Sequence, residues 1–329
     1  MRTLCVNSAA QPESHMILII SHPADDHAVG VLGALDHVGY PAVLVDTARF
    51  PSDATLSQRF DGDQRHYGWS TDGRTIDLST CRAGWWRRPQ PFTLQPGISP
   101  DVMSFTYSEC HEAVAGLWAA LDLNWVNPPE FDEIAHHKPH QLAAAMEVGL
   151  PVPRTVITND PNVARKFIAA LGPERTVYKT FLASEQCWRE TRVMRPDELE
   201  LLDSVRLAPV IFQEYVPAVA DVRVTVVGER MFAAAIIPAP GGYELDYRMD
   251  MDGASFEPIE LPGETKRGIH ALMRRLGLVF GAVDLRRTPD DRYIFLEVNP
   301  AGEWRFVEER TNQQITYAVA ELLAELDQR

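Results

Sequence analysis

The stretch "YIFLEVNPAGEW", Tyr293 to Trp304, sets a carboxylate, Glu297, and a carboxamide, Asn299, inside an otherwise apolar run that Pro300 ends. A strand alternates its faces, which places Ile294, Leu296 and Val298 on one side and Phe295, Glu297 and Asn299 on the other. Just upstream lies a second apolar run, "VFGAVDLRR", and the intervening "TPDDR" is built of turn-forming residues, so the two read as a hairpin. With the loop centred on Asp290 and Asp291, Asp284 falls opposite Glu297, with Cβ atoms about 5 Å apart. Facing carboxylates on a partly buried surface are destabilising unless a proton or a cation lies between them, and two carboxylates with an amide oxygen are hard ligands suited to Mg²⁺. A slip of one residue would instead leave Asp284 at a solvated strand end. Spacing alone is compatible with both.

The chain of 329 residues has room for roughly two domains and a cleft. Its 46 acidic against 31 basic residues give a net charge of −15, which argues against nonspecific binding to nucleic acid or anionic membrane. No run approaches the ~18 apolar residues of a membrane helix, and no charged-then-apolar leader opens the chain. The expectation is a soluble cytoplasmic protein. Cys5, Cys81, Cys110 and Cys187 show no CxxC or metal-finger spacing, which suits a reducing compartment, and no chemistry is assigned to them.

Residues 1–15 lack periodicity and read as a disordered tail or an upstream start. From Met16, "MILIISHPADDHAVGVLGALDHVGYPAVLVD" alternates strand, helix and strand, a parallel α/β unit. "WVNPPEFDEIAHHKPHQLAAAMEVGLPVPRTVIT" then gives a Pro-bounded loop, a helix ended by Gly149 and a strand after Pro153, the mark of a second domain. From "TVYKTF" onward short, antiparallel strands dominate, and "NQQITYAVAELLAELDQR" closes the chain as a helix. "SHPADDHA" is similar to the HPDDE zinc site of the LmbE-like deacetylases, but Ala24 spoils the spacing. The preferred reading is a loop whose Asp25 or Asp26 caps the next helix.

Lys179 of "TVYKTF" lies among apolar neighbours, where an ammonium must find an anion or reach water; an edge-strand lysine facing solvent is the plainer reading. In "IFQEYVPAVADVRVTVVG", Glu214 ends an apolar strand, and Asp221 and Arg223 share one face of the next. Together with Lys138, these residues and the acidic hairpin suit the binding of a nucleotide, with lysines for phosphates, a hinge for a purine, an acid for ribose and a metal site.

The chain resembles the ATP-grasp superfamily and, within it, the microviridin-type ligases that make graspetides. The resemblance runs from about Met16 to the last helix, through "FPSD", "AGWWRRPQPF", "WVNPP", "HKPHQLAAAMEVGLPVPRTVITNDP", "YKT", "QEYV", "DVRVTVVG", "ELDYR" and "GAVDLRRTPDDRYIFLEVNPAGEW". Two departures stand out. The loop "FLASEQCWRET" after Lys179 has no glycine to cradle phosphate, and Glu303 stands where the family's "NPxGQW" carries Gln.

The fold so implied is α/β (α+β). An N-terminal Rossmann-like α/β domain (residues 16–125) is followed by central (126–205) and C-terminal (206–329) ATP-grasp subdomains with ATP between them. The resemblance implies that Lys138 and Lys179 contact ATP phosphates or adenine, that Glu214, Tyr215 and Val216 form the adenine hinge, and that Asp221 takes the ribose. Asp284, Glu297 and Asn299 hold Mg²⁺, while Arg223 and Arg248 steady the acyl phosphate and the oxyanion, a surface salt bridge being the alternative for each arginine. Arg87, Arg88 and Asp246 are the candidate substrate contacts, although "WWRRP" fits core tryptophans beside surface arginines equally well.

The expected activity is ATP-dependent joining of Asp or Glu side chains to Ser/Thr hydroxyls or a Lys amine. The expected partner is a ribosomal precursor peptide with a leader and an acidic core; the assembly is a homodimer, with neither nucleic acid nor membrane as partner. A RimK-like ligase that adds amino acids to a small acid or a peptide end, and a non-catalytic ATP-binding module, are the competing readings.

Overall fold

The computed structural model describes residues 15–181, 191–239 and 251–329. Residues 1–14 of the tail expected at 1–15, residues 182–190 of the Gly-free loop after Lys179, Asp246 and Arg248 lie outside them. The chain divides into two compact units: one holds the residues up to Pro129 together with Thr316–Arg329, the other Glu130–Ile315.

In the first unit, β1 (Met16–Ile20), α1 (Asp26–His37) and β2 (Ala42–Val45) form the parallel crossover that the alternating pattern predicts. Asp25 caps α1, its side chain accepting from the His27 amide. A three-stranded antiparallel meander, β3 (Ala54–Asp61), β4 (Gln64–Thr71) and β5 (Arg74–Asp77), follows. Its second turn is Asp72-Gly73 with φ of 51° and 70°, the Asp-Gly signal of a tight hairpin, which was present in the sequence. β6 (Cys81–Trp86), α2 (Pro100–Ala120) and β7 (Asn124–Val126) complete the parallel sheet, in order β2-β1-β6-β7.

All but the first residue of α3 (Pro129–Ala135) belongs to the second unit, α4 (Lys138–Glu147) follows, and Gly149 at φ 81° ends the latter helix as expected. An antiparallel sheet in order β10-β9-β11-β8 comprises β8 (Thr155–Thr158), then, after α5 (Pro161–Leu171), β9 (Thr176–Lys179), β10 (Arg192–Val193) and β11 (Val210–Glu214). The second sheet of this unit is built from β12 (Ala220–Val227), β13 (Arg230–Ile237), β14 (Ser255–Pro258), α6 (Gly263–Leu276) as a covering helix, β15 (Phe280–Arg287) and β16 (Tyr293–Asn299). Its order is β14-β13-β12-β15-β16. α6 buries Ile269, Leu272, Met273 and Leu276, an i, i+3, i+4, i+7 stripe, against Val222, Val224, Val226, Val283 and Leu285. Two further helices, α7 (Arg305–Thr311) and α8 (Ile315–Asp327), end the chain, and nearly all of α8 belongs with the first unit.

The hairpin β15–β16 does pair Asp284 with Glu297, but by a different route from the one alternation suggests. Nearest the turn the partners are Arg287 with Tyr293 and Leu285 with Phe295, so the loop is centred on Asp290 alone. That register carried on would set Asp284 opposite Leu296. A bulge takes up Leu296 as an extra residue and delivers Glu297 to Asp284. The bulge also resets the faces: Tyr293, Phe295 and Val298 share the core, correcting the expectation that Phe295 lies beside Glu297.

Candidate active site

On the sheet face opposite that core, three strands form a row of charges. Arg223 of β12 pairs across to Asp284 of β15, which pairs across to Glu297 of β16. Arg223 Nη1 donates to both oxygens of Asp284, at 2.8 and 3.0 Å, and Nη2 donates to the Glu303 carbonyl at 2.9 Å. Its guanidinium lies 5.9 Å from the centre of the Phe306 ring. At the other end, Lys138 forms an ion pair with Glu297. The two adjacent carboxylates are thus flanked by two cations, which offsets the repulsion expected between like charges set across a ladder.

α4 is held on this edge strand by a residue that sequence reasoning missed. Gln141, one helical turn beyond Lys138, accepts from the Val298 amide at 3.0 Å and donates to the Val298 carbonyl at 2.8 Å. The buried amide takes the place of a neighbouring strand for β16. A polar side chain spaced three residues after Lys138 was the only available signal.

Asn299 is exposed and turns the chain, its Oδ1 accepting from the Ala301 amide at 3.0 Å. A carboxamide oxygen has a second lone pair, so this does not disqualify it as a ligand. The turn requires Gly302: a Cβ there would lie 2.2 Å from the Ala282 Cβ and 3.2 Å from Arg223 Nη2. Close backbone approach therefore explains the glycine of "NPAGEW". Two carboxylates and an amide oxygen gathered on one face, all hard donors, fit Mg²⁺.

The remaining nucleotide-site candidates lie on or just after three strands, β9, β11 and β12. Glu214, Tyr215 and Val216 leave the end of β11; the Tyr215 amide donates to the Arg175 carbonyl, and Arg175 Nη2 lies 3.2 Å from Glu214 Oε1. Asp221 begins the site face of β12 and pairs with Arg286. Lys179 ends β9, half-buried, opposite Ile211 of β11.

In the first unit, the two tryptophans of "WWRRP" belong to the interior: Trp85 is 1% exposed and Trp86 packs edge-on against Trp118 and Trp125. Arg87 is buried too, and the carboxylate it pairs is the chain's own Asp25, with Nε 3.1 Å from Oδ2. Arg88 is half-buried. Burial by itself would raise the Asp25 carboxyl, but hydrogen bonds from His27 and Ser21 and the charge of Arg87 overcome it and hold the group well below the usual carboxylate range. A depressed folded value means stability that is fully present above the ordinary range, near about 4, and is lost progressively as the pH falls from there to the folded value. Arg87→Met is expected to cost about 3–5 kcal/mol, the toll of stranding a buried charge. Thermal unfolding at neutral and acid pH checks this: the loss should shrink on acidification, and an unchanged melting temperature at neutral pH would refute it. The Cys81 thiol is pushed up to about 12, chiefly by burial, in keeping with a cysteine that has no chemistry.

Residues 16–133 match the MvdD pre-ATP grasp domain and residues 135–323 the RimK-like ATP-grasp domain. Among solved structures, the chain is similar to macrocyclase MdnC bound with precursor peptide MdnA from Microcystis aeruginosa MRC. The identity is 29% and the TM-score 0.84, over 94% of this chain and 99% of that one. It is also similar to a Chryseobacterium gregarium RiPP-associated ATP-grasp ligase in complex with ADP and a leader and core peptide, at 25% identity and TM-score 0.85, over 94% and 97% of the two chains. A probable alpha-L-glutamate ligase 2 of Shewanella amazonensis (strain ATCC BAA-1098 / SB2B) is 27% identical over 189 residues, 56% of this chain. That match spans 60% of the relative's own length.

Proposed function

Because the chain belongs to the RimK-like ATP-grasp family, we propose that it is an ATP-dependent ligase acting on a ribosomally made precursor peptide. It activates Asp or Glu side chains as acyl phosphates and joins them to Ser/Thr hydroxyls as esters or to a Lys amine as an amide. The observation that carries this reading is the likeness to MdnC, which extends over both units, whereas the likeness to the glutamate ligase is partial. That second likeness keeps one alternative in view, a ligase that adds amino acids to a small acid or a peptide end.

In the proposed reaction a substrate carboxylate oxygen attacks the γ-phosphorus in line, the β–γ bridging bond breaks and ADP leaves. The hydroxyl or amine then attacks the carbonyl carbon and loses its proton. The bond from carbon to the phosphate-bearing oxygen breaks, and inorganic phosphate departs with that oxygen. Lys138 and Lys179 hold the phosphates, Glu214 to Val216 hold the adenine and Asp221 the ribose. Arg223, and Arg248 outside the described residues, steady the acyl phosphate and the tetrahedral oxyanion. Asp284, Glu297 and Asn299 would hold Mg²⁺, which supplies positive charge to the phosphate oxygens. Arg88 and Asp246 are proposed peptide contacts; Arg87, set on Asp25, would place Arg88.

Co-expression with a short acidic, Thr-rich peptide tests the function by mass spectrometry, since each cross-link removes one water. Mass gains matching added amino acids would favour the alternative, and an unchanged peptide with no product on any acid would refute both.

Among the described residues no helix is long and apolar enough to cross a membrane. The protein is proposed to work in the cytoplasm as a homodimer, by likeness to the family; light scattering that gives the mass of one chain would refute the assembly.

Lys179→Ala is expected to weaken binding of a nonhydrolysable ATP analogue by about tenfold, because its charge complements phosphates in a partly desolvated cleft. Calorimetric titration checks this, and unchanged affinity would return Lys179 to a solvent-facing role.

A further inference from the structure

Asp221 and Arg286 face each other across β12 and β15, on the same side of the sheet as the row of Arg223, Asp284 and Glu297. Arg286 Nε lies 3.1 Å from Asp221 Oδ1, and the two side chains are only 8% and 16% exposed. The same guanidinium sits 5.6 Å from the centre of the Tyr215 ring. A guanidinium keeps its charge at any accessible pH, so one buried this far must stay with an anion. Its neighbour Arg287 does a different job at the surface, pairing with Asp291 in the hairpin loop.

We infer that Arg286 is a positioning residue for nucleotide selectivity: wedged against Tyr215, it sets the Asp221 carboxylate to receive the ribose hydroxyls. The inference rests on the assignment of Asp221 to the ribose made above. The close ion pair restrains a carboxylate that would otherwise rotate about its last bond, while the guanidinium lies over the aromatic ring. A lysine can supply the charge but not the planar, delocalised group that lies over the ring. "VDLRR" therefore places two adjacent arginines on opposite faces of β15, one to hold the hairpin and one to hold the ribose acid.

The test is the ratio of affinities for two ligands of the full chain, the β,γ-imido analogue of ATP and its 2′,3′-dideoxy form, measured by calorimetric titration. The unaltered protein should favour the ribonucleotide by about tenfold or more, as expected of hydroxyls bonded to a charged acceptor. In Arg286→Met the ratio should fall towards one, as it should in Asp221→Asn, while Arg286→Lys should fall between. A merely structural role would weaken both ligands alike and leave the ratio in place. Arg286→Met that is folded and keeps the full ratio overturns the inference. Should that variant not fold, Arg286→Lys decides in the same way, a full ratio overturning the inference and a reduced one supporting it. No discrimination in the unaltered protein, with Asp221→Asn indistinguishable from it, would instead remove the ribose assignment itself, and the inference with it.

Discussion

Turnover is expected to be abolished, by on the order of a thousandfold or more, in Asp284→Asn, Glu297→Gln and Asn299→Ala, because each substitution strips a proposed ligand of the Mg²⁺ that would offset the transferring phosphoryl charge. Their effects on stability should differ, since the three side chains have different work in the fold. Asp284→Asn leaves the guanidinium of Arg223, with a side chain 7% exposed, facing a neutral amide, a loss of about 1–3 kcal/mol. Glu297→Gln frees Lys138 at a site about a quarter exposed, where an ion pair contributes little, roughly 1 kcal/mol or less. Asn299→Ala removes the hydrogen bond that its Oδ1 accepts from the Ala301 amide, about 1 kcal/mol. Turnover and melting temperature measured on the same purified variants separate chemistry from folding, and near-normal turnover in all three would sink the metal assignment.

The second large effect concerns the order of bond making. With ¹⁸O in the side-chain carboxylate of the peptide substrate, label should appear in released inorganic phosphate, because the attacking oxygen leaves with the phosphoryl group. An enzyme that adenylates its substrate would put that label into AMP. Arg223→Ala is expected to slow the labelled transfer by about a hundredfold, roughly 3 kcal/mol, while weakening ATP binding far less, since the proposed contact strengthens as charge moves onto the acyl phosphate and oxyanion. Arg223 also holds Asp284 and the Glu303 carbonyl, so the alanine variant disturbs the proposed metal ligand as well. Arg223→Lys keeps a charge beside Asp284 but loses the second nitrogen of the planar fork, and a comparable rate loss there would assign the effect to the guanidinium fork. Label in AMP would overturn the mechanism, and a defect confined to ATP affinity would move Arg223 to the nucleotide site.

By itself the sequence determined the strand, helix and strand of the first unit, the helix stopped by Gly149 and the hairpin carrying Asp284 and Glu297. Each is written in a period, a cap or a turn residue within a few positions of the element it defines. The Asp72-Gly73 turn was equally local and announced a meander that an expectation of plain α/β alternation passes over. Tertiary structure alone decided what these elements meet. Nothing in "YIFLEVN" marks Leu296 as the bulged residue, yet that one insertion brings Glu297 to Asp284 and turns Phe295 into the core. Gln141 reaches β16 from 157 positions away, and Arg87, Arg223 and Arg286 find Asp25, Asp284 and Asp221 across 62, 61 and 65 positions. A local pattern carries the face a side chain takes within its own element; which charge lies opposite depends on register and on packing between elements distant in the chain, and those are settled only when the whole sheet has closed.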